Sequence, residues 1–241
     1  STAAPRVAYQ LGTVELGAGS VTQVTPSTEQ VYNEESKKFE DPTQTDAETF
    51  NQSVIHISGA NVRVRGGARV VAPYGKISLL AAENAASSRL FLDGVPIVHD
   101  SSSIVVEEGA LISAAGLRNI LLPMSRNQLN GRLFANELAD SPVQRGGVLY
   151  RSEVSADARS LVKVANVSGF YNLVGRTAAE IATKAGTVKI QAQGSTVVAD
   201  GAKVDVSGGS VRYEAGSISS SLLRKGNTLV RLEDAQAGVQ Y

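Results

Sequence analysis

The chain has 241 residues, a length that suits one large domain or two small ones. Hydrophobic residues make up 42% and charged residues 19%, which excludes a disordered polar chain. The 23 basic and 23 acidic residues balance, so the chain lacks the excess of positive charge that nucleic-acid binding requires.

Cysteine is absent, which excludes disulfides, thiolate metal sites and a cysteine nucleophile. This composition fits the cytosol, and it also fits a protein that crosses a membrane unfolded. No apolar run reaches the roughly 18 residues of a membrane-spanning helix, so we expect none. The opening residues Ser1–Pro5 lack the pattern of a signal peptide. We therefore expect either a cytosolic protein or a piece of a longer one.

The first feature in chain order is a polar segment at about 26–53. Its residues are largely polar and acidic, as in Glu34–Lys38, and they show almost no apolar periodicity. Such a composition predicts a protruding loop.

Short strands are predicted on both sides of the middle of the chain. Apolar and polar residues alternate, and the segments are separated by Gly-Gly or Ala-Gly breaks rather than by tight hairpin sequences. The alternating segments are Val62–Arg65, Thr187–Ile190, Val204–Val206 and Val211–Tyr213.

Three segments also repeat one another. Residues 62–72, 104–114 and 196–206 each contain an apolar strand, a Gly-Ala pair and a second strand, so Gly67, Gly109 and Gly201 fall on one position of the repeat. Glycine at a corner supplies backbone angles that other residues resist.

This repetition predicts an all-β fold, a right-handed parallel β-helix, in which each strand pairs with its counterpart one coil further on. Small aliphatic residues fill such an interior, which agrees with the absence of tryptophan. We assign 1–116 and 186–241 to β-helix coils.

The range 117–185 interrupts the repeats, and we predict a nonrepetitive excursion with short helices, or irregular coils, packed on the solenoid. Leu129, Leu133 (or Phe134) and Leu138 form a helical stripe. Thr177–Ala182 resembles a short helix that is capped by Thr177.

Several stretches of the second half resemble large secreted bacterial exoproteins of the filamentous haemagglutinin type. They are Asn136–Tyr150, Val167–Gly169, Gly175–Glu180 and Val204–Tyr213.

The resemblance implies a long right-handed β-helix that two-partner secretion exports through a dedicated outer-membrane β-barrel transporter. Such proteins serve as adhesins, biofilm-matrix proteins or toxin-delivery stalks. The family's secretion domain carries Asn-Pro-Asn motifs, and this chain contains no Asn-Pro pair. We therefore expect an internal or C-terminal segment of a longer exoprotein at the bacterial cell surface.

The expected function is structural and adhesive, without catalysis, cofactor or metal, and with host-cell or matrix glycans or proteins as partners. A competing hypothesis is a glycan-binding or glycan-cleaving protein, a polysaccharide lyase or hydrolase on the same scaffold. Aromatic and arginine side chains in the excursion form a possible ligand surface, or else the rings form the core of the excursion. These residues are Phe134, Tyr150, Phe170, Tyr171, Arg145 and Arg176.

Other candidate chemistry is weaker. His56 and His99 lie beside aliphatic residues, as strand or turn positions do. Arg63, Arg65 and Arg69 would form a basic strand face, either for acidic sugars or simply solvated. The carboxylates lack a calcium-binding spacing, which favours strand ends and corners. They are Asp93, Asp100, Glu107, Glu108, Asp200 and Asp205.

Because the sequence has no cysteine and no metal-binding motif, we predict that the purified protein binds no stoichiometric zinc or calcium. Elemental analysis after dialysis without chelator tests this. One equivalent of either metal would contradict it.

Overall fold

The structure is a computed structural model that describes residues 12–27, 30–34, 37–45, 50–83, 91–92, 95–96 and 101–241. It is mostly β, with parallel sheets and a few short helices, which confirms the predicted all-β class. The chain forms two compact units. The first comprises 1–28, 51–119 and 179–210, and the second comprises 29–50, 120–178 and 211–241.

Three parallel sheets build the first unit. The first sheet has the strand order β1 (Thr13–Leu16), β7 (Asn61–Val64), β12 (Ser103–Val106) and β19 (Ser195–Val198). The second has β2 (Val21–Gln23), β8 (Arg69–Val71), β13 (Leu111–Ser113) and β20 (Lys203–Asp205). The third has β6 (Val54–Gly59), β9 (Lys76–Ala81) and β18 (Thr187–Ala192). A short antiparallel pair joins β10 (Phe91–Leu92) and β11 (Val95–Pro96).

The pairing has one register throughout the first two sheets. Val62 of β7 pairs with Val14 of β1 and with Ile104 of β12, and Ile104 pairs with Thr196 of β19. In the second sheet, β2, β8, β13 and β20 pair with residues at matching positions of the repeat in the same way. The repeat predicted from the sequence is therefore confirmed, and the structure adds a fourth copy. We call the four segments 13–24, 61–72, 103–114 and 195–206 the two-strand repeats.

The core of the first unit follows from this register. Aliphatic residues alternate along each strand, so one set points inward on every strand. Val64 and Val106 of the first sheet, and Val70 and Ile112 of the second, are fully buried. Ile77 and Leu79 of β9 complete the core from the third sheet.

The corner between the two strands of each repeat depends on glycine. Gly19, Gly67, Gly109 and Gly201 occupy one position of the repeat, and each has a positive φ of 70–80°. L-residues rarely adopt this conformation, so the predicted role of the three glycines is confirmed. The first repeat escaped the sequence comparison because it reads Gly19-Ser20 in place of Gly-Ala.

The second unit consists of short paired strands and single helical turns. Its antiparallel pairs are β3 (Val31–Asn33) with β4 (Lys38–Glu40), β5 (Thr43–Gln44) with β17 (Arg176–Thr177), β15 (Gln128–Arg132) with β16 (Glu153–Asp157), and β22 (Leu222–Lys225) with β23 (Thr228–Arg231). β14 (Ile120–Leu122) and β21 (Val211–Tyr213) pair in parallel. The helices are α1 (Pro142–Arg145), α2 (Ser168–Tyr171) and two 3-10 turns, Met124–Asn127 and Leu232–Asp234. The third α-helix, α3 (Ala178–Ile181), crosses the boundary between the units.

The helical stripe predicted for 127–138 is wrong. Leu129 lies in β15, and Leu133 and Leu138 follow in the turns after it. All three are buried, because they pack in a separate core that the antiparallel pair of β15 and β16 helps to form. A strand followed by a turn can thus space its buried leucines as a helix does.

Two further segments hold strands that the sequence analysis did not predict. The polar segment at 26–53 contains the β3–β4 hairpin, whose Tyr32 and Phe39 rings meet edge to face at 5.3 Å. Leu222–Lys225 and Thr228–Arg231 form a second hairpin, with Gly226 at a φ of 60° in its turn. A short helix forms within the range predicted at 177–182, as α3, and its cap by Thr177 stays a prediction. The predicted division of the chain into β-helix coils at 1–116 and 186–241 and an excursion at 117–185 stays a prediction.

Replacement of Gly109 by alanine should isolate the cost of the corner conformation. A Cβ there would lie 3.6 Å from the nearest atom, an ordinary contact, so the positive φ is the main penalty. We expect Gly109→Ala to lower the free energy of unfolding by about 1–3 kcal/mol. Urea denaturation measures it. Gly208→Ala is the matched control, because its Cβ meets nothing and its φ is not positive. Equal stability of the two variants would contradict the role of the corner.

Candidate functional site

The candidate site is a cleft of about 320 Å³ in the second unit. Residues that precede α1 form one wall, and the segment that leads into α2 forms the other. The side chains that give it chemistry are Glu137, Asp140, Lys163, Asn166, Ser168 and Tyr171.

One backbone hydrogen bond joins the two walls of the cleft, and two further bonds fix side chains within them. The N–H of Asn166 donates to the carbonyl oxygen of Glu137 at 2.6 Å. The Asn166 Oδ1 accepts from the N–H of Ser168 at 3.0 Å, a local turn that begins α2. The Glu137 Oε2 accepts from the N–H of Phe134 at 2.8 Å. The carboxylate and the amide are thereby held in place before any ligand arrives.

Tyr171 contributes a ring to the cleft. Its hydroxyl donates to the carbonyl oxygen of Ala158, and the ring packs against the edge of the second-unit core. The ring therefore has a fixed orientation and still borders the cleft.

Two of the six predicted ligand residues lie together outside the cleft. Leu133 accepts from Arg151 N–H at 2.8 Å and donates to the carbonyl of Ser152 at 3.0 Å, which places Phe134 and Tyr150 at the same end of the β15–β16 ladder. Phe134 is 48% exposed and Tyr150 is 40% exposed. The Arg151 guanidinium lies 5.3 Å from the centre of the Tyr150 ring.

The structure separates the other predicted residues. Phe170 is buried, and its ring covers Gly131, where a Cβ would come within 2.5 Å of the ring. Arg145 is exposed at the end of α1, and Arg176 is half-buried in β17. The aromatic residues therefore divide, with Phe134 and Tyr150 outside, Tyr171 at the cleft and Phe170 in the core.

The polar residues of the cleft were missed by the sequence analysis. Glu137, Asp140 and Asn166 are isolated polar residues in an irregular region, and only the fold brings them together. The Asn166-x-Ser168 spacing is the one local signal, since asparagine often accepts a bond from the backbone two residues on. We call the cleft residues together with Phe134 and Tyr150 the candidate surface.

The candidate surface suits an uncharged ligand that is rich in hydroxyl groups. Carboxylate and amide groups accept and donate hydrogen bonds in fixed directions, and an aromatic ring offers a flat apolar face. A concave site with a few fixed polar groups is the usual form of a small-ligand site. Sugars combine these properties.

Carboxylates pair with two of the three arginines of the predicted basic strand face. Arg65 lies between two carboxylates, with Nε 3.0 Å from Glu15 Oε1 and an Nη 3.0 Å from Glu107 Oε1. The hydrogen bond from Arg65 lowers the pKa of Glu15. Arg63 Nε lies 3.8 Å from Glu107 Oε1. Arg65 and Arg63 therefore serve to link neighbouring repeats, and Arg69 is exposed on β8.

The remaining candidates do not assemble into a site within the part of the chain that the structure describes. His56 is exposed on β6, whereas His99, Asp93 and Asp100 lie outside the described residues. Glu108 and Asp200 are exposed at the corners. Asp205 accepts from the backbone N–H of Ser207, which lowers its pKa. Among the described residues, no group of three potential metal ligands occurs.

Two carboxylates of the second unit accept hydrogen bonds that stabilise their charged forms. The side-chain hydrogen bond from Arg159 lowers the pKa of Asp157. Burial raises the pKa of Glu233, but hydrogen bonds from the Ser220 hydroxyl and from the Asp157 N–H outweigh it, so the pKa lies below its ordinary value. Both groups are charged in the folded chain at neutral pH.

No family model matches the chain, and no curated protein or solved structure matches it either. Within the described residues, no helix is both long enough and apolar enough to cross a membrane.

Phe170→Ala should lower the free energy of unfolding by about 3–5 kcal/mol, because it removes a buried ring that covers Gly131. Phe134→Ala is the matched control and should change stability by less than about 0.5 kcal/mol, since that ring is half exposed. Urea denaturation of both variants measures the difference. Similar losses would show that Phe134 also belongs to the core.

Acid should destabilise the second unit. The pKa values of Glu233 and Asp157 are lower in the folded chain than their ordinary values of 4.5 and 3.8. Their charges therefore stabilise the fold above those values, and this contribution is lost as the pH falls through the folded pKa values. We expect the urea midpoint to fall between pH 6 and pH 3, and to fall less in Glu233→Gln. Glu214→Gln, at an exposed carboxylate, is the control. An identical pH dependence in both variants would contradict the role of Glu233.

Proposed function

We propose that this chain is a segment of a right-handed parallel β-helix that serves as a structural and adhesive part of a secreted bacterial exoprotein at the cell surface. Two-partner secretion, with an outer-membrane β-barrel transporter, is the export route that the resemblance implies. The observation that carries the proposal is the common register of the four two-strand repeats. Parallel strands that repeat in register grow into a stiff scaffold, which suits a stalk.

The order of strands along the chain supports the helical arrangement. The third-sheet strand β6 is followed by β7 of the first sheet and β8 of the second, and β9 then returns to the third sheet. The same order recurs in β18, β19 and β20. A crossover between parallel strands of one sheet is almost always right-handed, which supports the hand that we propose.

Adhesion is assigned to the candidate surface, with glycans as the ligand. Ion pairs occupy part of the outward face of the repeats, as at Arg65 and Glu107. The cleft in the second unit is a concave site, and the exposed rings of Phe134 and Tyr150 outside it offer flat apolar faces. We propose binding without turnover, and therefore no enzymatic activity.

Adhesion can be tested with the full chain immobilised on fluorescent beads. We expect the beads to bind a subset of glycans on an array, and the double change Phe134→Ala and Tyr150→Ala to abolish binding without shifting the thermal melt. Val54→Ala, which removes an exposed side chain of β6, is the control. Binding to protein-coated matrix alone would replace the glycan with a protein ligand. No binding above an albumin background would refute adhesion.

A glycan-cleaving enzyme is the second candidate, because the carboxylates of Glu137 and Asp140 line the same cleft. Glycoside hydrolysis uses two such groups, one as an acid and one as a base or nucleophile. Release of reducing ends from a polysaccharide that the chain binds, with loss of that release in Glu137→Gln and Asp140→Asn, would support it. Binding without release would exclude it for that polysaccharide.

A further inference from the structure

The antiparallel pair of β15 and β16 carries a groove of about 370 Å³ that shares no residue with the cleft. Two cross-strand pairs form its walls, with Asn130 opposite Ser155 and Arg132 opposite Glu153. Side chains two residues apart on a strand point to the same face of a sheet, so both pairs stand on one face. The groove therefore has polar walls on both strands.

The floor of the groove is backbone. The side chain of Val154 lies in the second-unit core, and a Cβ on Gly131 would come within 2.5 Å of the buried Phe170 ring. Gly131 and Val154 therefore line the groove with their backbone atoms alone. Because no side chain rises from the floor, the space between the two polar pairs stays open to a ligand.

The wall side chains are held in place and carry no net charge. The Ser155 hydroxyl donates to the Asn130 Oδ1 at 2.8 Å, a bond that uses only the acceptor end of the amide. The NH2 group of Asn130 therefore keeps its donors for a ligand. Arg132 Nη2 lies 2.7 Å from Glu153 Oε1, so these two charges cancel. Fixed polar groups lose little conformational freedom when a ligand binds.

The groove continues to the exposed ring of Phe134. The buried Leu133 separates two exposed neighbours, Arg132 and Phe134, so the ring faces the same side as the groove. Four residues of extended chain place Phe134 about 14 Å from Asn130. The Glu137 carboxylate of the cleft accepts from the N–H of Phe134, so this residue connects the groove with the cleft.

We propose that the groove and the Phe134 ring bind a linear, uncharged polysaccharide lengthwise, several sugars at a time. The inference rests on the proposed adhesion to glycans and names the form of the glycan, which is an internal stretch of chain rather than a terminal sugar. A strip of about 14 Å is longer than one sugar ring. A single sugar stacks on Phe134, and each further sugar gains hydrogen bonds to Arg132 and then to Asn130.

An extended peptide fits this strip less well than a sugar chain. Peptides that add to a sheet bond to the unpaired backbone along the edge of a strand. The groove lies on the face of the sheet, where β15 and β16 pair with each other and side chains form the walls. Sugar hydroxyls both donate and accept, so they can donate to Glu153 and accept from Asn130.

Isothermal titration calorimetry of the full chain tests the lengthwise contact. The probes are neutral, β-linked hexamers of glucose, xylose, mannose and N-acetylglucosamine, each with its own monomer. We expect at least one hexamer to bind about tenfold more tightly than its monomer, a gain that one or two hydrogen bonds supply.

Two outcomes of this titration would overturn the proposal. Equal affinity for hexamer and monomer, or no binding of any hexamer, would exclude the lengthwise contact. Adhesion itself would then still be decided by the bead assay, which also presents terminal sugars. Tighter binding of an unstructured Gly-Ser peptide than of every hexamer would assign the strip to a peptide.

A change at the far end of the groove locates the contact. The double change Asn130→Ala and Ser155→Ala should reduce the affinity for the hexamer to that for the monomer, and leave the affinity for the monomer unchanged. Asn61→Ala with Ser103→Ala is the matched control, because the Ser103 hydroxyl donates to the Asn61 Oδ1 at the same 2.8 Å in the first unit. Thermal melts verify that both variants fold. An equal loss in both variants, or no loss in either, would overturn the proposal.

Discussion

Register between parallel strands is the constraint on which the first unit depends. The inner strands of the repeats hydrogen-bond to a strand on either side, so a shift of one residue would turn every buried side chain outward. The fully buried Val64, Val106, Val70 and Ile112 hold the register, because only one alignment keeps all of them inside. The corner glycines then follow, since the chain must turn at the same point in every repeat.

The outer faces reinforce the same alignment with polar contacts. Arg65 bridges Glu15 and Glu107 across three neighbouring repeats, and the Ser103 hydroxyl donates to the Asn61 Oδ1 at 2.8 Å. Exposed ion pairs contribute little to stability, typically below about 1 kcal/mol each. Their effect is selective, because a shifted register would separate them. Burial therefore supplies the stability, and the polar ladder favours one alignment.

Sequence reasoning succeeded where local pattern and global fold agree. Val62–Arg65 and Thr187–Ile190 alternate because one side of each strand is buried, and the position of Gly109 in the repeat reported its backbone angle. The second unit gave no such pattern. Its leucines at 129, 133 and 138 have a helical spacing but lie on a strand and in turns, and Glu137 and Asn166 meet only through long-range contacts. The period of apolar residues in a sequence predicts contacts that repeat along a strand or helix, but it cannot predict single contacts between residues far apart in the chain.

The stretch 136–150, which carries part of the family resemblance, holds buried residues that pack within the second unit. Gln144 is buried, and its amide donates to the carbonyl oxygens of Ala237 and Val239, while Leu138 and Leu149 lie in the second-unit core. A buried amide without its partners would cost free energy, so this motif and the last residues of the chain depend on each other. Part of the motif thus contributes to the packing of the second unit. Ligand choice must come from the residues that the motif leaves exposed or lining the cleft, and Glu137 and Tyr150 are such positions within it.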